Sequence, residues 1–185
     1  MGAEKYKHLE KNLDLRDEQN MTKILVSHDP KWMEKLRVAH NLTKERIELF
    51  SQYAVLRNSI KNKIEQVIEG RRKRGDKKTP IEEKLGFFIE AIEPQVQGAV
   101  IKLRNKGYKT YSSGFSFGAE QHIWFDENYF QNPQMFEKLR DELNKKGVKL
   151  LIKDNKIEIG FDKFYSLEKI KGFWDEIADF LPKIK

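Results

Sequence analysis

Between Gly107 and Asp126 the chain gathers residue types suited to polar chemistry: Ser112-Ser113-Gly114-Phe115-Ser116-Phe117-Gly118, followed by Glu120, Gln121 and His122. Small residues let backbone N–H groups approach an anion or a base, hydroxyls can donate, and Phe115 and Phe117 offer faces on which a flat ligand could stack. Ser112, Ser113, Phe115, Ser116, Phe117 and His122 are therefore candidate ligand contacts. A catalytic version would make His122 the base for Ser113 or Ser116 as nucleophile. Nearness in sequence says nothing about reach in space, so no catalytic residue is assigned. Ordinary turn chemistry, with two Phe facing a core, would also produce this stretch.

The second candidate is electrostatic. Of the net charge of +7, the segment from Thr43 to Lys78 carries +6, with eleven Lys or Arg against five Asp or Glu. Arg71, Arg72, Lys73, Arg74, Lys77 and Lys78 form a run that reads as an exposed linker, and Arg57, Lys61 and Lys63 precede it on a helix. Such a set could neutralise the phosphates of RNA or DNA and release counterions. No recognised nucleic-acid motif accompanies it, aromatic residues do not interleave with it, and a solvated helix face has the same composition.

Composition removes several alternatives. With no cysteine, a disulfide framework, a thiolate zinc site and a cysteine nucleophile are excluded. His8, His28, His40 and His122 show no spacing that would chelate a metal from one helix face, so neither a metal nor another cofactor is expected. The 12 Phe, 6 Tyr and 3 Trp can fill a core, and Trp32, Trp124 and Trp174 are expected there. No apolar run resembles a signal peptide or a membrane span, so no membrane association and a cytoplasmic location are expected.

The elements that must position these residues follow from caps and periodicity. Residues 1–29 stay open: Tyr6, Leu9 and Leu13 fit a helical face, while Ile24, Leu25 and Val26 could form a short strand. Asp29-Pro30 starts a short helix through His40. Thr43 caps a long one whose Leu49, Tyr53, Leu56, Ile60, Ile64 and Val67 share a side. That stripe could seat a second copy through residues 43–70, although burial within the chain is the expectation. Thr79, Pro80 and Glu82 start another helix, with Leu85, Phe88, Ile89 and Ile92 as its apolar face and a break at Glu93-Pro94.

Two tandem helix–strand–strand segments follow. One passes through LRNKGYK and ends HIWFD; the other begins at Asn132-Pro133, passes through LNKKGVK and ends IEIGFD after an Asp154-Asn155 turn. Nineteen residues separate Gly107 from Asp126 but only fifteen separate Gly147 from Asp162, which places four extra residues in the Ser112 to Gly118 stretch. A final helix capped by Ser166 carries Leu167, Ile170, Phe173, Trp174, Ile177 and Phe180. Two hairpins that cannot bury their faces alone should join into one sheet. The expected fold is therefore α+β, a helical N-terminal half followed by a two-layer αββαββα sandwich with a four-stranded antiparallel sheet. The expected organisation is an N-terminal segment 1–29, a helical region 30–78 with its basic linker at 71–78, and an α+β domain 79–185.

The run from Ile92 to Phe115, IEPQVQGAVIKLRNKGYKTYSSGF, resembles modules of wybutosine-synthesis tRNA methyltransferases in which a helix and a Gly precede a Thr-x-Ser-Ser-Cys loop. Gly114 stands where that pattern has Cys, and the Gly-Arg that follows there is absent. What the resemblance implies is a strand–loop–strand shape, with no activity carried over. The function expected from the sequence is a non-enzymatic binding protein that contacts nucleic acid through its basic helix and linker. The alternatives are a small-ligand or enzymatic pocket at 112–122, and an assembly protein built on the long helix.

Overall fold

In the computed structural model of the chain, residues 13–116, 118–153 and 155–184 are described, and Tyr6, His8, Leu9, Phe117 and Asp154 lie outside them. The chain divides in sequence between Asn58 and Ser59 into two compact units, inside the long helix and not at the basic run.

The first unit holds α1 (Glu18–Ser27), α2 (Pro30–Ala39) and the start of α3 (Lys44–Arg74). Each begins at a side-chain cap: Asp17 accepts from the Asn20 N–H, Asp29 from the Lys31 and Trp32 N–H groups, and Thr43 from the Arg46 N–H. Ile24, Leu25 and Val26 are helical, not a strand, and Ile24 and Leu25 are buried. Ser51, buried on α3, donates to the Leu25 carbonyl at 2.6 Å and meets His28 Nε2 at 2.8 Å, which ties α3 to the end of α1. Along α3 the apolar stripe is buried at Leu49, Tyr53 and Ile60, half-buried at Leu56 and Ile64, and open at Val67.

In the second unit, α4 (Pro80–Leu85) stops sooner than its apolar pattern suggested. Gly86 takes φ +82°, a left-handed stop, and a 3₁₀ turn (Ile89–Ala91) leads to Glu93 and α5 (Pro94–Asn105). The strands β1 (Thr110–Phe115), β2 (Glu120–Phe125), β3 (Val148–Lys153) and β4 (Lys156–Phe161) form one antiparallel sheet in the order β1-β2-β4-β3. Between the hairpins come a 3₁₀ turn (Pro133–Phe136) and α6 (Glu137–Lys145), and α7 (Leu167–Phe180) follows β4. The architecture is α+β, with the αββαββα order expected.

Alternation assigns the two sheet faces. Ile123, Phe125, Ile157, Ile159, Phe161, Val148, Leu150 and Ile152 are buried, and α5, α6 and α7 cover that side. Trp174 of α7 is fully buried there, its indole N–H donating to Gln121 Oε1 at 2.8 Å, while Phe173 lies against Phe161 and Tyr165. The opposite side carries Glu120, His122 and Trp124 on β2 and Lys156, Glu158 and Gly160 on β4. Trp124 therefore sits on the outer face, half-exposed, and not in the core where the sequence had placed it.

All four strands are six residues long, so the four extra residues of the first hairpin are not one inserted loop. Two of them, Tyr108 and Lys109, precede β1, next to a shift in register between Thr110 and Ser112 that bulges the start of the edge strand, and two lengthen the connection between β1 and β2. Ser112, Ser113, Gly114 and Phe115 are thus strand residues, which corrects their expected place in a loop. Low-propensity Ser and Gly hide a strand whose pairing comes from its neighbour.

Gly114 combines a φ of +122° with a neighbour where its Cβ would be: an added methyl would lie 2.6 Å from Cδ of Glu93. Gly86 also has positive φ, but its Cβ position is open. Gly114→Ala is therefore expected to cost clearly more than Gly86→Ala, which carries only the backbone penalty of about 1 kcal/mol. Urea unfolding of the two variants checks this, and equal costs would contradict the seat that Gly114 gives to Glu93.

Candidate functional site

The basic run is not a linker. Helix α3 continues through Gly70 to Arg74, and only Gly75–Lys78 connects it to α4. What holds the helix end in place is Arg71, whose side chain is only 12% exposed. Its guanidinium donates to both oxygens of Glu82, to Glu90 Oε2 at 2.8 Å and to the Lys77 carbonyl at 3.2 Å, and it lies over the Phe88 ring at 4.1 Å. Glu82, 1% exposed, also accepts from the Thr79 N–H at 2.7 Å and the Ile89 N–H at 3.0 Å. The capping box that starts α4 and the clamp on α3 thus use one carboxylate. Arg71, expected among the nucleic-acid contacts, is committed to this internal network. Composition counts a cation without showing what it pairs with, which is why the sequence put Arg71 in solvent.

The other expected contacts fall into two groups. Arg57 pairs with Glu18 at 2.7 Å, and Lys78 donates to the Gly86 carbonyl at 2.6 Å. Lys61, Lys63, Arg72, Lys73, Arg74 and Lys77 are exposed. Of these, Lys73 meets Glu69 and Arg74 meets Asp76 in surface pairs that hold little free energy and can be exchanged for another anion. Arg71 to Arg74 also occupy the last turn of a long helix, where positive charge complements the macrodipole.

Around 112–122 the structure joins His122 to Ser116, one of the two serines considered for it, and to Ser112 in place of Ser113. Ser116 Oγ lies 2.7 Å from His122 Nδ1 and Ser112 Oγ lies 3.4 Å from Nε2, so a hydroxyl meets each ring nitrogen. One of these contacts must use the imidazole as donor and the other as acceptor in the neutral ring. Ser113 pairs with Ile123 in the ladder, so it sits on the opposite side of the sheet from His122. It lines, with Phe87, Ala91, Ile92, Val100 and Thr110 to Ser112, an open cleft of about 270 Å³ beside β1. Phe115 is 3% exposed and faces the core, so it cannot stack on a ligand.

The anion that the small residues of this strand admit is the protein's own. Glu93 Oε2 accepts from the Phe115 N–H at 3.0 Å and from Gln95 Nε2 at 2.6 Å, and its carboxylate fills the space above Gly114. At the other end of the same edge, Arg104 donates to the carbonyl and hydroxyl of Thr110. Both ends of the edge strand are thus tied to α5. What His122 and its two serines supply is a fixed imidazole on a sheet surface.

No group of three or more His, Asp or Glu side chains able to hold a metal comes together among the described residues. No described helix is long and apolar enough to cross a membrane. Compared with known proteins, the chain matches no family model, no curated protein and no solved structure.

The clamp gives a pH dependence. The Arg71 guanidinium, then the backbone N–H groups of Thr79 and Ile89, hold the Glu82 carboxyl well below the usual carboxylate range. A lowered folded-state value contributes stability that is complete above the unfolded value of about 4.3 and is lost as pH falls toward the folded one. Glu82→Gln should lower Tm at pH 7, and the gap from wild type should narrow steadily on acidification below pH 4. Thermal unfolding across that range tests it; a gap independent of pH would show that the carboxylate's charge is not what matters.

Proposed function

We propose that this is a non-enzymatic binding protein that contacts nucleic acid through the exposed cations of the second half of α3. The observation that carries the proposal is Arg71: its burial against Glu82 and Phe88 fixes the helix end, so Arg72, Lys73 and Arg74 stand on an anchored helix. Lys61, Lys63 and Lys77 extend the exposed positive charge to either side. Cations held in place lose less entropy on meeting a phosphate than cations on a flexible linker. They do so without the buried, fully paired geometry that would make them structural. Binding of this kind is sequence-independent, salt-sensitive and fast, because it depends on counterion release and long-range attraction.

The test replaces exposed charges and spares the anchor. The triple variant Arg72→Glu, Arg74→Glu, Lys77→Glu should fold as wild type and lose most affinity for short RNA and DNA in fluorescence anisotropy. Each phosphate contact removed should lessen the salt slope by about 0.7 on a single strand. Wild-type affinity in the folded triple variant would remove α3 from the interface.

A further inference from the structure

The outer face of the sheet carries a pattern that packing does not require. The register sets Ser112 opposite Trp124, Trp124 opposite Lys156, and Lys156 opposite Lys153. Tyr111, 58% exposed on the bulge of the edge strand, has its ring 6.3 Å from that of Trp124 and tilted by 34°. Crossing the sheet from β1 to β3 therefore meets two aromatic rings and then two ammonium groups. The Lys156 ammonium lies 5.1 Å from the centre of the Trp124 ring and pairs with Glu158 at 2.7 Å. Lys149 and Lys153 on the other edge strand are exposed.

Two features narrow the occupant. Lys153 and Lys156 set two like charges directly opposite each other, and the one carboxylate that pairs with Lys156, Glu158, offsets only one of them, so the pair keeps a positive charge that an anionic ligand would complement. The apolar share of the face is small: Leu151 is its exposed aliphatic, and a protein interface would need a core depleted of charge. Rings beside cations on an antiparallel sheet suit unpaired bases and their phosphates, since every base has a face to stack and every linkage a charge. In a duplex those base faces are already stacked on one another and unavailable.

We propose that this face binds single-stranded nucleic acid, with bases stacking on Tyr111 and Trp124 and phosphates meeting Lys153 and Lys156. The proposal rests on the nucleic-acid reading of α3 and adds a separate surface that selects single strands.

Tyr111→Ala and Lys153→Ala change exposed side chains and should leave the fold intact by circular dichroism. Anisotropy with the full chain would compare an oligothymidylate, a duplex of equal length, both variants, and the α3 triple variant. Tyr111→Ala should weaken the single strand roughly 5- to 100-fold, the range expected for one lost stacking contact, and leave the duplex unaffected. Lys153→Ala should weaken the single strand less and reduce its salt slope. Loss of single-strand binding in Tyr111→Ala with the α3 variant unchanged supports the face and removes the helix. Unchanged binding in both face variants while the α3 variant fails overturns the face and keeps the helix. No binding of either probe by wild type removes both. A dimer in light scattering that Leu151→Glu dissociates, with single-strand affinity unchanged in the face variants, also overturns the proposal and gives the face to a second copy.

Discussion

A carboxylate as fully enclosed as Glu82 must be met by a cation and by hydrogen-bond donors, and the way the second unit meets it sets much else. Arg71 supplies the charge from the last turn of α3, Thr79 supplies a backbone donor from the cap of α4, and Ile89 supplies another from the 3₁₀ turn. Three segments are thereby fixed to one group. The 3₁₀ turn leads within two residues to Glu93, whose carboxylate fills the space over Gly114 and takes the Phe115 N–H. Removing Arg71 would thus leave a buried charge unpaired, and it would also loosen the connection that presents the cations of α3 and the edge of β1.

The sheet divides its labour by face. Its inner side is closed by three helices around Trp174, with Gln121 as a polar partner inside an otherwise apolar layer. Its outer side carries His122 between two serine hydroxyls, a tryptophan under a lysine, and an exposed tyrosine on a bulge. The bulge matters because it shifts the register between Thr110 and Ser112 and brings Tyr111 alongside Trp124. An edge strand with open backbone groups also invites pairing by another chain. Glu93 and Arg104 occupy such groups at its two ends.

Local signals were legible in the sequence. Asp29 before Pro30, the Thr79 and Glu82 capping box, and Ser166 before the last helix all mark starts that the structure shows, because a cap is decided by a few adjacent residues. Gly107 and Gly147 take the left-handed stops expected of them, at φ +98° and +76°. What pairs at a distance was not legible. Arg71 looked like one of six linker cations because its partner lies eleven residues away and across a turn. Ser112 to Phe115 looked like a loop because strand formation there depends on β2. Trp124 looked like core because aromatic content alone does not say which face of a strand a residue takes; the pairing of β2 with β4 decides that. Of the candidate site, the residue types were visible, and their grouping into His122 with Ser112 and Ser116 came only with the register.

On the proposed function, the exposed positive charge of the second unit meets a polyanion. The direct measurement is the affinity of the intact wild-type protein for a short single-stranded oligonucleotide as a function of salt concentration. A linear fall of log K with log salt, with a slope corresponding to several released counterions, is what the anchored cations of α3 and the lysines of the sheet predict. Affinity that does not change with salt, or no binding at the lowest salt, would contradict it and leave these charges as solvation of the surface.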